Sequence, residues 1–255
     1  MFALTNISLQ DKVSASEWQT RVDLAACYRL VASLGWGDLI YTHLSARVPD
    51  TDEYLVNPFG LTFEEVTASN LVRVSLTGKV LDGSPYGINP AGFTIHSAIH
   101  EVRHDAQCVI HLHTRATISV ASISGGLQPW SQYAMFSLSS LSYHAYEGLA
   151  VNGDEKQRLQ DDLGQNNHML LHNHGGLTVG PSVGDAFMRF YDLQRACEIQ
   201  TELWQTGKPI IEIPPGIVQG IYDQANVVHS GQSGGQTAWP AMLRKAFKLD
   251  PSFCL

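Results

Sequence analysis

At 255 residues the chain can bury a sizeable core in one domain, and 44% hydrophobic against 16% charged residues describes a compact protein with sparse surface charge. A formal net charge of -8 without any basic run argues against nucleic acid and anionic membrane as partners, which leaves a small molecule. Cys27, Cys108, Cys197 and Cys254 form no CxxC pair, and no segment approaches the ~18 apolar residues of a membrane span.

Residues 1–13 read as an arm, and Met1 to Asn6 lacks the basic flank and apolar core of a signal peptide, which together with the cysteine usage predicts a reducing, cytoplasmic setting. Ser14-Ala15-Ser16-Glu17 has capping-box form, and Val22, Ala25, Ala26, Leu30 and Val31 follow at helical spacing, so a helix is expected from about Glu17 to Leu34. Gly35-Trp36-Gly37-Asp38 stops it. Tyr41 to Val48 and Tyr54 to Asn57 alternate as a hairpin across Pro49-Asp50-Thr51-Asp52, and a short helical piece near Glu64 precedes strands at Val72 to Leu76 and Lys79 to Leu81. Asn89-Pro90 opens a helix with cap and first residue in the preferred order; its buried stripe is Ala91, Ile95, Ala98, Ile99 and Val102.

The strand Val109 to Thr114 follows, and Thr114 caps a helix that should reach Gly125-Gly126. The Ser- and Tyr-rich span from Leu127 to Gly148 predicts one strand near Leu138 to Tyr143 within loops that line a site or an interface. A charged helix from Asp154 to Leu163 leads to a second histidine strand at Met169 to His174, then a long helix from Ser182 to Gly207 and a last strand at Pro209 to Ile213. Beyond Pro214-Pro215 the composition shifts to Gly, Gln, Ser and Asn, with a break at Ser230 to Gly235 and a short helix from about Pro240 to Phe247. Residues 214–255 thus read as a tail that packs on the body or on a neighbouring subunit of a single-domain chain.

The chemistry gathers at the two histidine strands. Alternate side chains of a strand share a face, so His111 and His113 can converge on one metal ion, and the run ending in His172-Asn173-His174 supplies a third nitrogen from either histidine. His-x-His pairs also occur on strands for packing alone. A competing set, His96, His100 and His104, recurs every four residues along one helix face but has no evident further partner, and hydrogen-bonded helix histidines are its plainer reading. No Gly-x-Ser-x-Gly elbow or complete dinucleotide fingerprint is present.

Several stretches in order give the chain a resemblance to the class II aldolase/adducin family, nearer the adducin head domain than the sugar-phosphate aldolases. They are His43 to Pro49, Val56 to Leu61, Glu65 to Ser69, Gly87 to Ile99, the His111 strand and Asn173-His174-Gly175. The resemblance implies an α/β fold, an α/β/α sandwich around a mixed, largely antiparallel sheet, assembled as a homotetramer with sites at subunit boundaries. It implies one divalent metal per subunit, zinc foremost and manganese or iron as alternatives, on His111, His113 and His174, with His172 orienting a ligand. Two departures stand out. The aldolases carry an acid/base glutamate where this chain has Gly92, and small phosphate-binding residues where it has Thr42-His43, Phe59-Gly60 and Pro90-Ala91.

The expected activity is therefore carbon-carbon cleavage, by decarboxylation or an aldol-type step, on a small oxygenated acid or carbonyl compound other than a sugar phosphate. His43, His96, His172 and Tyr143 are the candidates for protonating the product, Tyr143 across a subunit boundary, with Asn173, Phe59, Gly60 and Gly92 around the substrate. A non-catalytic adducin-like module with a structural metal, and a non-haem iron oxygenase on the same ligands, are the alternatives.

Overall fold

The computed structural model describes residues 9–150, 153–217, 220, 221, 224 and 234–255. Most of the predicted arm, and residues 230–233 of the predicted break, lie outside the described residues. Seven strands form one sheet: β1 (His43–Arg47), β2 (Tyr54–Val56), β3 (Val72–Val74), β4 (Cys108–Leu112), β5 (Leu141–His144), β6 (His168–Leu171) and β7 (Gly175–Gly180). Their order is β3-β2-β1-β4-β7-β6-β5, and every pair is antiparallel except β5 with β6. The fold is α/β with a mixed, largely antiparallel sheet.

Strand alternation divides the core. Cys108, Ile110 and Leu112 face helices α1 (Ala15–Ser33) and α6 (Val183–Thr206), packing with Leu24, Phe187 and Phe190. Val109 faces the opposite way, toward α2 (Pro90–Val102) and α5 (Glu155–Leu163), where Ile95, Ile99, Leu159, Met169 and Leu177 close a second cluster. His111 shares the Val109 side, so the histidines project toward α2. Helices α3 (Arg115–Ala121) and α4 (Gln132–Leu138) add a third cluster with Leu170, Leu193 and Cys197.

The caps fall where the sequence places them. Ser14 accepts from the Glu17 amide at 3.1 Å, Asn89 from Ala91 at 3.1 Å and Ser182 from Asp185 at 3.1 Å, each worth about 1 kcal/mol. Thr114 caps α3 but that helix ends at Ala121, short of Gly125. Three strand expectations change. The span before Leu141 contains α4 rather than strand, capped by Ser131 on the Ala134 amide. Lys79 to Leu81 shrinks to a single bridge between Val80 and Val74. Pro209 to Ile213 is no strand: Ile211 is 91% exposed and the segment pairs with no strand among the described residues.

The last helix, α7 (Gly234–Leu249), is longer than expected and continues through Pro240. It packs on α1 and α6, with Trp239 against Phe187 at 5.8 Å and its indole N–H on Asp23. The chain then returns along residues 68–69, where the Ala68 and Ser69 amides donate to Phe253 and Leu255. No helix among the described residues is long and apolar enough to cross a membrane.

Candidate metal centre

Two backbone devices bring the third histidine to the first two. β6 and β7 form a tight hairpin in which Leu171 faces Gly175, and Asn173 takes a left-handed conformation (φ 58°) that asparagine tolerates better than most residues. Gly175 then passes so close to β4 that a Cβ there would lie 2.5 Å from the Leu112 carbonyl oxygen. This approach sets His174 beside His111 and His113, with ligand nitrogens within 4.8 Å of one another. Asn173 itself is exposed and serves the turn.

The hydrogen bonds around the triad orient its lone pairs. His111 Nδ1 lies 3.1 Å from the Gly176 carbonyl oxygen and His113 Nδ1 lies 3.1 Å from Asp38 Oδ2. Each partner accepts a proton, so both rings carry hydrogen on Nδ1 and turn an unprotonated Nε2 inward. The two Nε2 atoms face each other at 3.0 Å, an arrangement in which two lone pairs repel unless a cation lies between them. Burial first, then His174, His113, His43 and His96, hold the His111 pKa well below its ordinary value; burial, His113 and His144 push His174 down to about 4. The donor set thus fits a divalent metal, with His111 and His174 held neutral by burial and ready to bind.

A cavity of about 410 Å³ opens over His113 and His174, and His43 lines it. His43 Nδ1 lies 2.8 Å from His96 Nε2, His96 Nδ1 is hydrogen-bonded to Ser45 Oγ, and Ser45 Oγ lies 2.8 Å from His100 Nε2. The whole chain is buried. One proton on Ser45 gives it two arrangements: donated toward His96 it leaves His43 Nε2 protonated, and donated toward His100 it leaves His43 Nε2 as an acceptor. Burial, followed by the neighbouring histidines, keeps His43 well below its ordinary pKa, and burial lowers His96 and His100 to about 3.

Gly92 explains the departure from the aldolase pattern. A Cβ at this position would lie 2.5 Å from His43 Cδ2 and 2.8 Å from His43 Nε2, so the imidazole fills the volume a longer side chain at 92 would need. Behind it, toward Tyr54, Asn57 and Phe93, only about 10 Å³ of space remains.

The other expected site residues separate. Phe59 lines the cavity; Gly60, at φ 99°, turns the chain beside it. His96 stands behind His43 and does not line the cavity, so its part is to hold His43. His172 donates Nδ1–H to the Ala121 carbonyl at 2.7 Å and stacks on Tyr143 at 5.4 Å, while the Tyr143 hydroxyl accepts from the Leu127 amide at 2.9 Å. Both lie apart from this chain's own cavity, because β6 turns its alternate residues toward α3. His104 is exposed past the end of α2, which dissolves the three-histidine helix set. Asp38, Tyr41, Asn89 and Leu149 belong to the cavity without any sequence signal. Asp38 reads as part of a helix stop, and only the fold brings it to His113.

The model of the Class II Aldolase and Adducin N-terminal domain matches residues 22–201, and the chain belongs to that family. A Pseudomonas aeruginosa protein whose name assigns it provisionally to the class 2 aldolases is 58% identical over 247 residues, covering 96% of this chain and 95% of that one. Rat alpha-adducin is 44% identical over 203 residues, 77% of this chain but 28% of adducin. The solved L-fuculose 1-phosphate aldolase of Glaciozyma antarctica superposes with a TM-score of 0.81 at 25% identity, covering 98% of this chain and 94% of that one.

Proposed function

We propose that this protein is a metal-dependent lyase that breaks a carbon-carbon bond, by decarboxylation or aldol-type cleavage, in a small hydroxy or keto compound that is not a sugar phosphate. The observation that carries the reading is the pair of facing Nε2 lone pairs on His111 and His113, closed by His174 beneath an open cavity. A divalent cation held by three neutral donors, zinc foremost, keeps its full charge and supplies the Lewis acidity that stabilises negative charge left on a substrate oxygen.

The protein's own groups do the rest. His43 takes the place of the family glutamate: with Nδ1 committed to His96, its Nε2 is the nitrogen left for a ligand. Held in this way, the His43 Nε2 can take a proton from a substrate oxygen and return that same proton to carbon, while His96 and Ser45 fix the ring. His96, Ser45 and His100 are positioning residues in this scheme. Asp38 fixes the His113 ring. The sparse charge and the family support a homotetramer, in which Tyr143 and His172 would reach a neighbour's site rather than their own.

The test is elemental analysis of the wild type and of His113→Ala, followed by assay of hydroxy and keto acids for chelator-sensitive release of carbon dioxide or aldehyde. One metal per chain, lost in the variant, with turnover of at least one acid supports the proposal. Full metal retention in His113→Ala, or efficient cleavage of L-fuculose 1-phosphate, overturns it.

A further inference from the structure

The cavity above the histidine triad has walls of one character. Tyr41, Phe59, Pro90, Ile95 and Leu149 make most of them, and among the described residues neither lysine nor arginine lines it. Tyr41 is 52% exposed, Phe59 39% and Leu149 79%, so large apolar groups stand in water around a polar floor. Such a rim, exposed on the single chain, gains free energy when an apolar ligand group covers it, and in the proposed tetramer the neighbouring subunit shares that cover.

Of the polar groups at the rim, Asn89 and Asp38 are already engaged, and His43 Nε2 faces the metal end of the cavity. Asn89 accepts from the Ala91 amide and donates toward the Tyr41 carbonyl, and Pro90 removes one amide from the first turn of α2. The start of that helix therefore offers little to a phosphate. Asp38, the carboxylate of the lining, is engaged with His113 and would repel a second anion.

Resting on the metal reading above, we infer that the ligand of this cavity joins an oxygenated, metal-chelating end to an uncharged aromatic or branched aliphatic group, which lies between Tyr41, Phe59, Ile95 and Leu149. The chelating end meets His111, His113, His174 and His43. The apolar end displaces water from the rim. A substrate ending in phosphate or a second carboxylate finds no lysine or arginine among this chain's described lining residues and leaves the apolar rim uncovered.

Three hydroxamates separate these terms, because they share one chelating group and differ only in the tail: acetohydroxamate, benzohydroxamate and phosphoglycolohydroxamate. Binding is measured by calorimetry on protein whose metal content has first been determined. At about fourfold in affinity per methylene removed from water, benzohydroxamate should bind more than tenfold tighter than acetohydroxamate, and phosphoglycolohydroxamate no tighter than acetohydroxamate. Leu149→Ser, at an exposed position, should retain the metal and shrink the benzohydroxamate preference. Equal affinity for the methyl and phenyl probes, tightest binding of the phosphate probe, or no binding by metal-loaded protein overturns the inference while leaving the metal site standing. Absence of metal in the first measurement overturns the metal reading and this inference with it.

Discussion

His43 and Gly92 are one unit: the imidazole occupies what would otherwise be side-chain space at 92. Gly92→Ala adds a methyl 2.5 Å from His43 Cδ2. The expected cost of such overpacking, about 1–3 kcal/mol, exceeds the gain of about 0.5–1 kcal/mol from replacing a helical glycine. In a His43→Ala background the clash is gone and the same substitution should stabilise. Urea midpoints of the four proteins in this cycle check the sign reversal; an equal effect in both backgrounds would mean the two residues do not compete for space. The sequence could name His43, His111, His113 and His174 because strand alternation and family spacing both act on local positions. It could not name Asp38, whose contact with His113 spans 75 residues, nor separate His96 from the cavity, because a helix face does not say which layer lies behind it.

At the scale of elements, the helices were legible through their caps and the central strands through alternation. The misread pieces lacked either signal. β7 is Gly175-Gly176-Leu177-Thr178-Val179-Gly180, with glycine where a strand pattern wants β-branched residues, and its pairing comes from close approach to β4 and β6. α4 carries a serine cap inside a Ser- and Tyr-rich span that hides it. α7 seals the outer side of α1 and α6 through Trp239, 9% exposed, which packs on Phe187 and bonds Asp23. Trp239→Ala should lower stability by about 3 kcal/mol, the low end for deleting a buried large aromatic. A urea midpoint unchanged by this substitution would show that α7 merely rests on the body.

Across the whole molecule, buried histidines govern the response to acid. Burial lowers His96 and His100 to about 3 and His168 to about 4, against about 6.5 in an unfolded chain. Between those limits the unfolded state binds more protons, so each group withdraws up to about 1.4 kcal/mol of stability per pH unit as the pH falls below 6.5. Asp192 opposes them: burial raises its carboxyl to about 7, so the folded state binds the extra proton there and gains as pH falls. Burial also depresses His43, His111 and His174 and raises Asp23, so six histidine losses outweigh two carboxyl gains. The melting temperature of metal-free protein should drop steadily from pH 6.5 to pH 4.5 and hold level from pH 7 to 8; a flat profile below pH 6.5 would contradict the buried network. Light scattering tests the tetramer, and a monomer at micromolar concentration would remove Tyr143 and His172 from any site.

The sheet order also has a timetable. β4 bonds β1 on one side and β7 on the other, yet β7 follows it in the chain by roughly sixty residues. On a ribosome adding ~5–20 residues per second, the apolar edge Cys108–Leu112 therefore waits about 3 to 12 s without its second neighbour. For that interval His111 and His113 hang from an open strand, able to capture a stray metal as a bidentate pair or to seed pairing with another nascent chain. Arrival of Gly175 to Gly180 ends both hazards at once, since the residues that cover the edge come directly behind His174.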